Sequence, residues 1–290
     1  MEGAYYNGQY LNRLERLGYS QAEIDNKLES TFEEMFYGPE GVRLCHCAGP
    51  DMMYIEDTGN HDVRTEGMSY AMMFCVQMNR QKEFDCLWRW VVTHMYLTEG
   101  ENAGYFAWSC HTDGSKNSDG PAPDGEEFFA MSLFFAANRW GSGEGVLDYA
   151  SWARRILHAC VHKGEEAGSG FPMWNPENHL IKFIPNCEFT DPSYHLPHFY
   201  ELFALWSDEC DRPFWHAAAA ASRQYLRKAC HARTGLSAEY AEYDGRPHRG
   251  DQPDRHDWFF SDAYRTLGNI ALDAQWFGDK DGWAQETAAH

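Results

Sequence analysis

Two kinds of helix alternate along this chain. Four segments have apolar residues on most of their helical faces: 66–79, 127–140, 196–207 and 262–274. Three others carry one apolar stripe on a polar helix: 83–96, 147–161 and 213–229. A helix without a polar face is buried on every side, whereas a striped helix covers one side of a core. The alternation therefore predicts an all-α fold, a double-layered barrel of inner and outer helices.

Glycine-aromatic loops recur between the helices at intervals of about 65 residues, which indicates repeated helical hairpins. They read G-Y-F-A-W-S at 104–109, G-F-P-M-W-N at 170–175 and G-L-S-A-E-Y at 235–240. An N-terminal pair within residues 4–37 and a further helix near Trp283 complete about ten predicted helices. Because a closed barrel of six hairpins needs more, we expect one catalytic domain over residues 1–290 that lacks its C-terminal helices.

The composition limits what such a barrel binds. The formal charge of −20 argues against nucleic acid and anionic membrane surfaces as partners, because both require clustered Lys and Arg. Aromatic residues reach 16% of the chain, and their flat faces with polar edges suit sugar rings. No signal-peptide pattern or long apolar run is present in the sequence, so we expect a cytoplasmic protein. We also expect it to be a monomer.

The nine cysteines give no sign of a metal site. Apart from Cys45 and Cys47 they occur singly, without the paired spacing typical of zinc ligands, so we expect buried reduced thiols. The sequence also lacks a phosphate-binding glycine loop, a G-x-S-x-G turn and an H-E-x-x-H helix. We therefore predict neither metal nor cofactor.

Three carboxylates stand at the starts of predicted inner helices, and we expect them to share one site. Asp124 lies on a Pro-Gly corner in A-P-D-G-E-E-F-F, Glu66 lies in R-T-E-G-M-S-Y, and Asp262 lies in F-F-S-D-A-Y-R. The other acids are weaker candidates. Glu126, Glu127 and Glu201 are expected to cap helices or to pair with Arg139, and Asp191 is expected to brace a loop.

Five motifs, in order along nearly the whole chain, resemble glycoside hydrolase family 8. They read D-T-G-N-H-D-V-R-T-E-G-M-S-Y-A-M-M, A-G-Y-F-A-W-S, G-P-A-P-D-G-E-E-F-F-A, C-E-F-T-D-P-S-Y-H-L-P-H-F-Y-E-L-F and F-F-S-D-A-Y-R. The likeness is strongest to its exo-oligoxylanases, which release xylose from reducing ends. It implies an (α/α)6 barrel and an inverting hydrolase that acts on β-1,4-linked xylo-oligosaccharides.

The resemblance assigns roles to single residues. Glu66 matches the family's proton donor, and its uncharged neighbours fit that role because an apolar setting raises a carboxyl pKa. Asp262 matches the general base, with Arg265 placed to keep it ionised. Asp124 matches the acid that holds the sugar being cleaved, and Tyr194 matches the tyrosine that helps place the water. Trp108 and Arg64 are expected substrate contacts.

The sequence leaves other functions open. An endo-acting β-1,4-xylanase of the same family is one, because the loop that blocks the site in the exo-enzymes is expected beyond residue 290. A sugar epimerase on the same barrel is another, using His195 and His198 as acid and base. A carbohydrate-binding barrel without catalysis is the third.

Overall fold

The computed structural model describes residues 2–165, 169–250 and 255–289, and helices dominate them. The α-helices are α1 (Ala4–Asn7), α2 (Arg13–Arg16), α3 (Gln21–Tyr37), α4 (Thr65–Gln77), α5 (Gln81–Trp90), α6 (Pro123–Trp140), α7 (Tyr149–His162), α8 (Pro197–Trp206), α9 (Arg212–Ala229), α10 (Arg265–Phe277) and α11 (Trp283–Ala288). The strands are β1 (Cys45–Cys47), β2 (Met53–Ile55), β3 (Asp62–Arg64) and β4 (Ser109–His111). Strands β1 and β2 form one antiparallel pair, and β3 and β4 form another.

The helices form two layers, as the alternation predicts. Helix α4 packs against α6, α6 against α8, and α8 against α10, so these four helices form the inner row. Each inner helix also packs against the helix that follows it: α5, α7, α9 and α11 in turn. The apolar faces of α4, α6 and α8 meet in one continuous core that includes Met72, Phe129 and Phe203.

The first glycine-aromatic loop, 104–109, lies at the N-terminal ends of two inner helices. The carbonyl of Trp108 accepts a hydrogen bond from the amide of Thr65 at 3.0 Å, at the start of α4. The amide of Phe106 donates to Oε1 of Glu126 at 3.0 Å, near the start of α6. These contacts place the loop where the inner helices begin, and so next to the predicted site.

The outer segment 83–96 is not one regular helix. Helix α5 ends at Trp90 and continues as a π-helical turn, Val91–Met95. The carbonyl of Met95 accepts from the amide of Ala107 at 2.8 Å, and that of His94 accepts from the thiol of Cys110. The last carbonyl groups are thus satisfied by the neighbouring loop rather than by a further helical turn, which sequence periodicity does not reveal.

Two expectations about the ends of the chain need correction. Three helices, of which only α3 is long, replace the pair predicted within residues 4–37. Helix α10 is less buried than an inner helix should be, since within it Thr266, Ile270 and Asp273 are its buried residues. It packs against α8, α1 and α11, and its remaining side chains keep solvent contact. The helix predicted to begin near Trp283 is confirmed as α11.

All nine cysteines are reduced, as expected, but not all are buried. Six are buried, Cys187 is intermediate, and Cys47 and Cys210 are exposed. Within the described part of the chain, each helix is too short or too polar to cross a bilayer.

Candidate active site

The starts of three inner helices bring Glu66, Asp124 and Asp262 into one electrostatic cluster. Glu66 lies in the first turn of α4 and Asp124 in the first turn of α6, while Asp262 lies in a 3₁₀ turn, Ser261–Tyr264, that leads into α10. The charges of Asp124 and Asp262 both influence the pKa of Glu66. The structure thus brings together the three carboxylates that the sequence singled out.

Glu66 has the environment of a general acid. Desolvation of its carboxyl is the largest influence and raises its pKa to about 7, and the negative charge of Asp124 acts in the same direction. The residue as a whole keeps partial solvent contact. Its Oε2 accepts a hydrogen bond from the hydroxyl of Thr65 at 3.3 Å. A carboxyl with this pKa is still largely protonated at mildly acidic pH and has a proton to give.

Asp124 is held in place by its own helix and by a close approach of α4. Its Oδ1 accepts from the amide of Gly125 at 3.0 Å, and the side chain is buried. A Cβ on Gly125 would lie 2.5 Å from Cβ of Thr65, so only glycine lets α4 and α6 begin this close together. Burial raises the pKa of Asp124, and the ion pair with Arg265 opposes that shift.

Asp262 is more exposed to solvent than Asp124 and lies on a strained turn. Its side chain is 40% exposed, and its Oδ2 lies 3.0 Å from Nη2 of Arg265. The preceding residue, Ser261, has φ of 40°, a left-handed conformation that is unfavourable for a residue with a Cβ. Strain of this kind persists where the surrounding fold enforces it, and here it lies directly before the residue that carries the carboxylate.

Arg265 joins these acids through one guanidinium group. Its Nη1 donates to Oδ2 of Asp124 at 2.9 Å and to the hydroxyl of Tyr70, while its Nη2 faces Asp262. Nη2 and Nε are both buried, yet neither makes a well-aligned hydrogen bond within the described residues. Nη2 is nevertheless ion-paired with Asp262, so Nε is the donor left without a partner among the described residues.

The ring of Tyr194 faces the guanidinium group of Arg265. The guanidinium carbon is 5.6 Å from the centre of its ring, and the side chain is buried. Burial raises the pKa of Tyr194 well above its ordinary value, with the charges of Asp124, Asp191 and Glu66 adding to that effect. The hydroxyl is therefore a proton donor for hydrogen bonds throughout the physiological range.

Asp191 is a site neighbour that the sequence assigned only to a loop. Its Oδ1 caps the turn Pro192–Tyr194 by accepting from the amide of Ser193 at 2.7 Å. The residue is buried, and burial raises the pKa of its carboxyl to about 8 against the opposing charge of Arg265. The motif D-P-S-Y is the only sequence signal that points to it.

Arg64 and Trp108 meet beside the start of α4, where β3 pairs with β4. The guanidinium carbon of Arg64 lies 5.2 Å from the ring centre of Trp108. Arg64 also pairs with Asp62 at 3.0 Å and Asp57 at 3.3 Å. Much of its hydrogen-bonding capacity is thus used within the protein, and the partly exposed face of Trp108 is the better candidate for a sugar contact.

Two aromatic residues near Tyr194 were not singled out from the sequence. The ring of Phe183 lies 6.0 Å from that of Tyr194 and 4.3 Å from that of Tyr240, and both Phe183 and Tyr240 keep partial exposure. Rings of this kind suit the apolar faces of sugars. The recurrence of G-L-S-A-E-Y at 235–240 is the signal that could have identified Tyr240.

The remaining acids have structural partners other than Arg139. Tyr200 donates to Oε1 of Glu127, Glu201 pairs with Arg223, and Glu126 accepts from the amide of Phe106. Glu126 and Glu127 are both fully enclosed, and burial raises both of their pKa values well above the ordinary range. The expectation of pairing with Arg139, which is exposed, is wrong.

His195 and His198 do not form an acid-base pair in an open site. Both are buried, and burial lowers the pKa of each to about 3, so they are neutral in the folded protein. His195 bridges the hydroxyl groups of Thr190 and Ser222 at 3.0 and 2.9 Å. This placement removes the feature that favoured an epimerase.

A cavity of about 950 Å³ lies elsewhere, among the N-terminal residues, α9, α10 and α11. Arg223, Ile270 and Trp283 are among the residues that line it, and the three clustered carboxylates are not. It is therefore separate from the carboxylate cluster.

The clustered groups can carry out acid-base chemistry on a neutral polar ligand. A carboxyl group with a raised pKa lies near a solvated carboxylate, and their different environments allow one to donate a proton while the other accepts one. The cationic Arg265 between the acids limits their mutual repulsion. Such a pair, with aromatic rings beside it, is typical of an inverting or retaining glycosidase.

Comparison with known proteins agrees with this chemistry. The model of the family described as Glycosyl hydrolases family 8 matches residues 19–289. A reducing end xylose-releasing exo-oligoxylanase of Halalkalibacterium halodurans is 56% identical over 286 residues, covering 98% of this chain and 73% of that protein. Rex8A of Paenibacillus barcinonensis, a protein of the same description, is 57% identical, covering 97% of this chain and 74% of that one.

Solved structures agree at the level of the fold. A variant of Rex8A from Paenibacillus barcinonensis, complexed with xylose, superimposes with a TM-score of 0.96 at 56% identity. The match covers 99% of this chain and 75% of that one. Another Rex8A variant, complexed with an arabinofuranosyl-xylotetraose, gives the same TM-score at 55% identity, with the same coverage of both chains.

Proposed function

The chain belongs to glycosyl hydrolase family 8, and from that premise we propose that it releases xylose from the reducing end of xylo-oligosaccharides. It is a glycoside hydrolase, and its fold is the (α/α)6 barrel that the family resemblance implied. The observation that carries the substrate assignment is the identity of 56–57% to exo-oligoxylanases over nearly the whole chain. The endoglucanases that also match are far more distant, at 26–28%.

We propose Glu66 as the general acid. Cleavage of a glycosidic bond expels an alkoxide unless the leaving oxygen is protonated as the bond breaks. Glu66 is the carboxyl of the cluster whose pKa is raised to about 7, so it holds a proton where Asp and Glu side chains ordinarily do not. Its proton passes to the oxygen that leaves with the reducing-end xylose.

We propose Asp262 as the general base. Inverting hydrolysis needs a carboxylate on the opposite face of the sugar, with about 6.5–9.5 Å between the two carboxyl groups so that water fits. The exposed position of Asp262 admits water, and the guanidinium of Arg265 stabilises the charge of its carboxylate. Asp262 takes one proton of the water while the water oxygen bonds to the anomeric carbon from which the leaving oxygen departs.

The remaining residues of the cluster bind and orient the sugar. Asp124 is placed to accept from hydroxyl groups of the ring being cleaved, with Arg265 fixing its direction. The hydroxyl of Tyr194 suits the attacking water or a sugar oxygen, and the guanidinium beside it keeps Asp124 and Asp262 in place. We expect Trp108 to stack against a neighbouring ring and Arg64 to hold the loop that carries it.

Product analysis on xylotriose labelled at its reducing end tests the substrate assignment. We expect labelled xylose and unlabelled xylobiose as the first products, with no early label in xylobiose. Label that appears first in xylobiose would show release from the non-reducing end instead, and equal cleavage of internal bonds in longer oligomers would show endo action. An intact glycosidic bond after prolonged incubation would refute a hydrolase.

Proton NMR during the first minutes of reaction tests the inverting mechanism. A β-linked substrate should give the α-anomer at the newly formed reducing end, before mutarotation mixes the two forms. Initial accumulation of the β-anomer would contradict inversion and, with it, the role of Asp262 as base.

Three further properties remain predictions. A single catalytic domain over residues 1–290 is supported by one family model that matches residues 19–289. The cytoplasmic location and the monomeric state rest on the sequence alone.

A further inference from the structure

Two histidines and an aspartate converge on the outer surface of the barrel, away from the carboxylate cluster. His158 and His162 lie one turn apart on α7, and Asp211 directly precedes α9. Nδ1 of His158 is 3.3 Å from Oδ2 of Asp211, and Nε2 of His162 is 2.7 Å from its Oδ1. One donor atom from each of the three residues lies within 4.8 Å of the others. We propose that this group binds one divalent transition metal ion of the zinc class.

The burial of the three side chains suits a site that an ion can enter. The side chain of Asp211 is 1% exposed, whereas those of His158 and His162 are 47% and 28% exposed. Asp211 stands at the N-cap position of α9, yet its carboxylate makes no capping hydrogen bond there. The carboxylate faces the two imidazoles instead, and its Oδ1 also accepts from the thiol of Cys210 at 3.2 Å.

Glu165 supplies a second, independent observation. Its Oε2 lies 2.8 Å from Nδ1 of His162, the ring nitrogen opposite the one that faces Asp211. A histidine that binds a metal through one nitrogen usually donates its other N–H to a carboxylate, which fixes the tautomer and orients the ring. Without a metal, Nε2 of His162 carries a proton towards Asp211, which a bound ion would displace, and Glu165 keeps the ring in the orientation that lets Nε2 reach that ion.

The donor set indicates which metal. Two imidazole nitrogens and one carboxylate oxygen suit zinc and its neighbours, whereas magnesium and calcium prefer oxygen ligands alone. Three protein ligands leave a fourth tetrahedral position open to water. The ligands come from two outer helices, so a bound ion would clamp the end of α7 to the start of α9. Its expected effect is on stability rather than on catalysis.

The sequence reveals this group only in part, because His158 and His162 have an i, i+4 spacing but nothing along the chain connects them with Asp211. His158 and Asp211 are 53 residues apart, and His162 and Asp211 are 49 apart. The expectation of no metal rested on the unpaired cysteines and on the absence of an H-E-x-x-H helix, and neither bears on a group that the fold assembles from the end of α7 and the start of α9.

Calorimetry on the full chain, freed of metal with a chelator, tests the proposal. We expect one Zn²⁺ ion to bind per chain, Mg²⁺ not to bind, and saturating Zn²⁺ to raise Tm by about 5 °C, reversibly with chelator. His158→Ala, His162→Ala and Asp211→Asn should each weaken Zn²⁺ binding about 100-fold, and Glu165→Gln about 10-fold.

His216→Ala is the matched control, since His216 is 78% exposed on α9 and lies outside the group. Circular dichroism of each variant without metal shows whether it has folded, and Asp211→Asn preserves the shape of the side chain if an alanine variant does not fold. Absence of Zn²⁺ binding by the parent chain would overturn the proposal, leaving only a hydrogen-bonded cluster. Equal affinity in His216→Ala and the ligand variants would overturn it as well.

Discussion

Glu66 and Asp262 both stand at the start of an inner helix, but their surroundings differ. Glu66 lies where α4 and α6 begin in close contact, and desolvation there raises the pKa of its carboxyl to about 7. Asp262 lies at the start of the less buried helix α10, with a side chain that is 40% exposed and paired with Arg265. In the proposed mechanism, two carboxyl groups of similar chemistry take opposite roles because the packing around them differs.

The largest effect on activity is expected when Glu66, the desolvated carboxyl, is removed. Glu66→Ala should lower kcat on xylotriose by about 10³- to 10⁴-fold, because the leaving oxygen then departs without a proton. Substrate binding should persist, and a substrate whose leaving group needs no proton should recover much of the rate. Steady-state kinetics on both substrates check this. A loss below about tenfold on xylotriose would mean that another residue is the acid.

Removing Asp262, the solvent-exposed carboxylate, should affect the two substrates differently. Asp262→Asn should lower kcat by about 10²- to 10³-fold, because the attacking water loses its base. Here an activated leaving group should not restore the rate, since protonation of the leaving oxygen is not the missing step. The same pair of substrates measures this, and recovery equal to that of Glu66→Ala would erase the distinction between the two carboxylates.

Arg265 connects both regions, so a change there should affect both. Arg265→Lys should lower kcat by about 10- to 100-fold, because a single ammonium group cannot pair with Asp124 and Asp262 in the way that a planar guanidinium does. Arg223→Lys is a matched control, since Arg223 joins Glu201 and Asp273 outside the carboxylate cluster. It should lower Tm and leave kcat nearly unchanged. Equal loss of kcat in both variants would indicate a general structural effect.

The pH profile sharpens the comparison further. The general acid must be protonated, so kcat/KM should fall as pH rises through about 7, the raised pKa of Glu66. The charge of Asp124 is the second cause of that shift, so Asp124→Asn should move this alkaline limb to lower pH as well as weaken binding. If the alkaline limb of kcat/KM stayed at the same pH in Asp124→Asn, the proposed electrostatic link between Glu66 and Asp124 would be contradicted.

The smallest effect is expected at the strained turn before Asp262. Glycine adopts positive φ without penalty, so Ser261→Gly should change the free energy of unfolding by only about 1 kcal/mol in either direction. If the strain directs the carboxylate, kcat should fall several-fold while KM stays close to that of the parent. Unchanged kcat would show that the turn is held by its neighbours rather than by Ser261.

Local patterns were sufficient to predict the layers of the fold. Helices α4, α6 and α8 carry apolar residues on most of their faces because they are buried on most sides. Helices α7 and α9 carry one apolar stripe because they are buried on one side. The sequence alone therefore separates inner from outer helices. Helix α10 has the apolar residues of an inner helix but not the burial. Its exposure depends on which elements pack beside it, and the helix's own sequence does not contain that information.

The chemistry of the site was predicted less completely than its location. The motifs placed Glu66, Asp124 and Asp262 at the starts of helices, but the contact of Arg265 with Asp124 joins residues 141 positions apart. The contact of Arg265 with Tyr70 spans 195 positions. The burial that gives Asp191 its raised pKa is likewise set by tertiary packing. The spacing of residues along the chain does not predict contacts between residues so far apart in sequence.

The most direct test is the titration of the Glu66 carboxyl itself. Carbon-13 NMR of glutamate-labelled protein, with Glu66→Gln to assign the resonance, would follow its chemical shift from about pH 3 to about pH 9, a range that spans the ordinary and the raised carboxyl pKa. Desolvation beside Asp124 predicts a midpoint near pH 7. A midpoint close to the ordinary glutamate value of about 4.3 would contradict the division of the two carboxylates into acid and base by their surroundings.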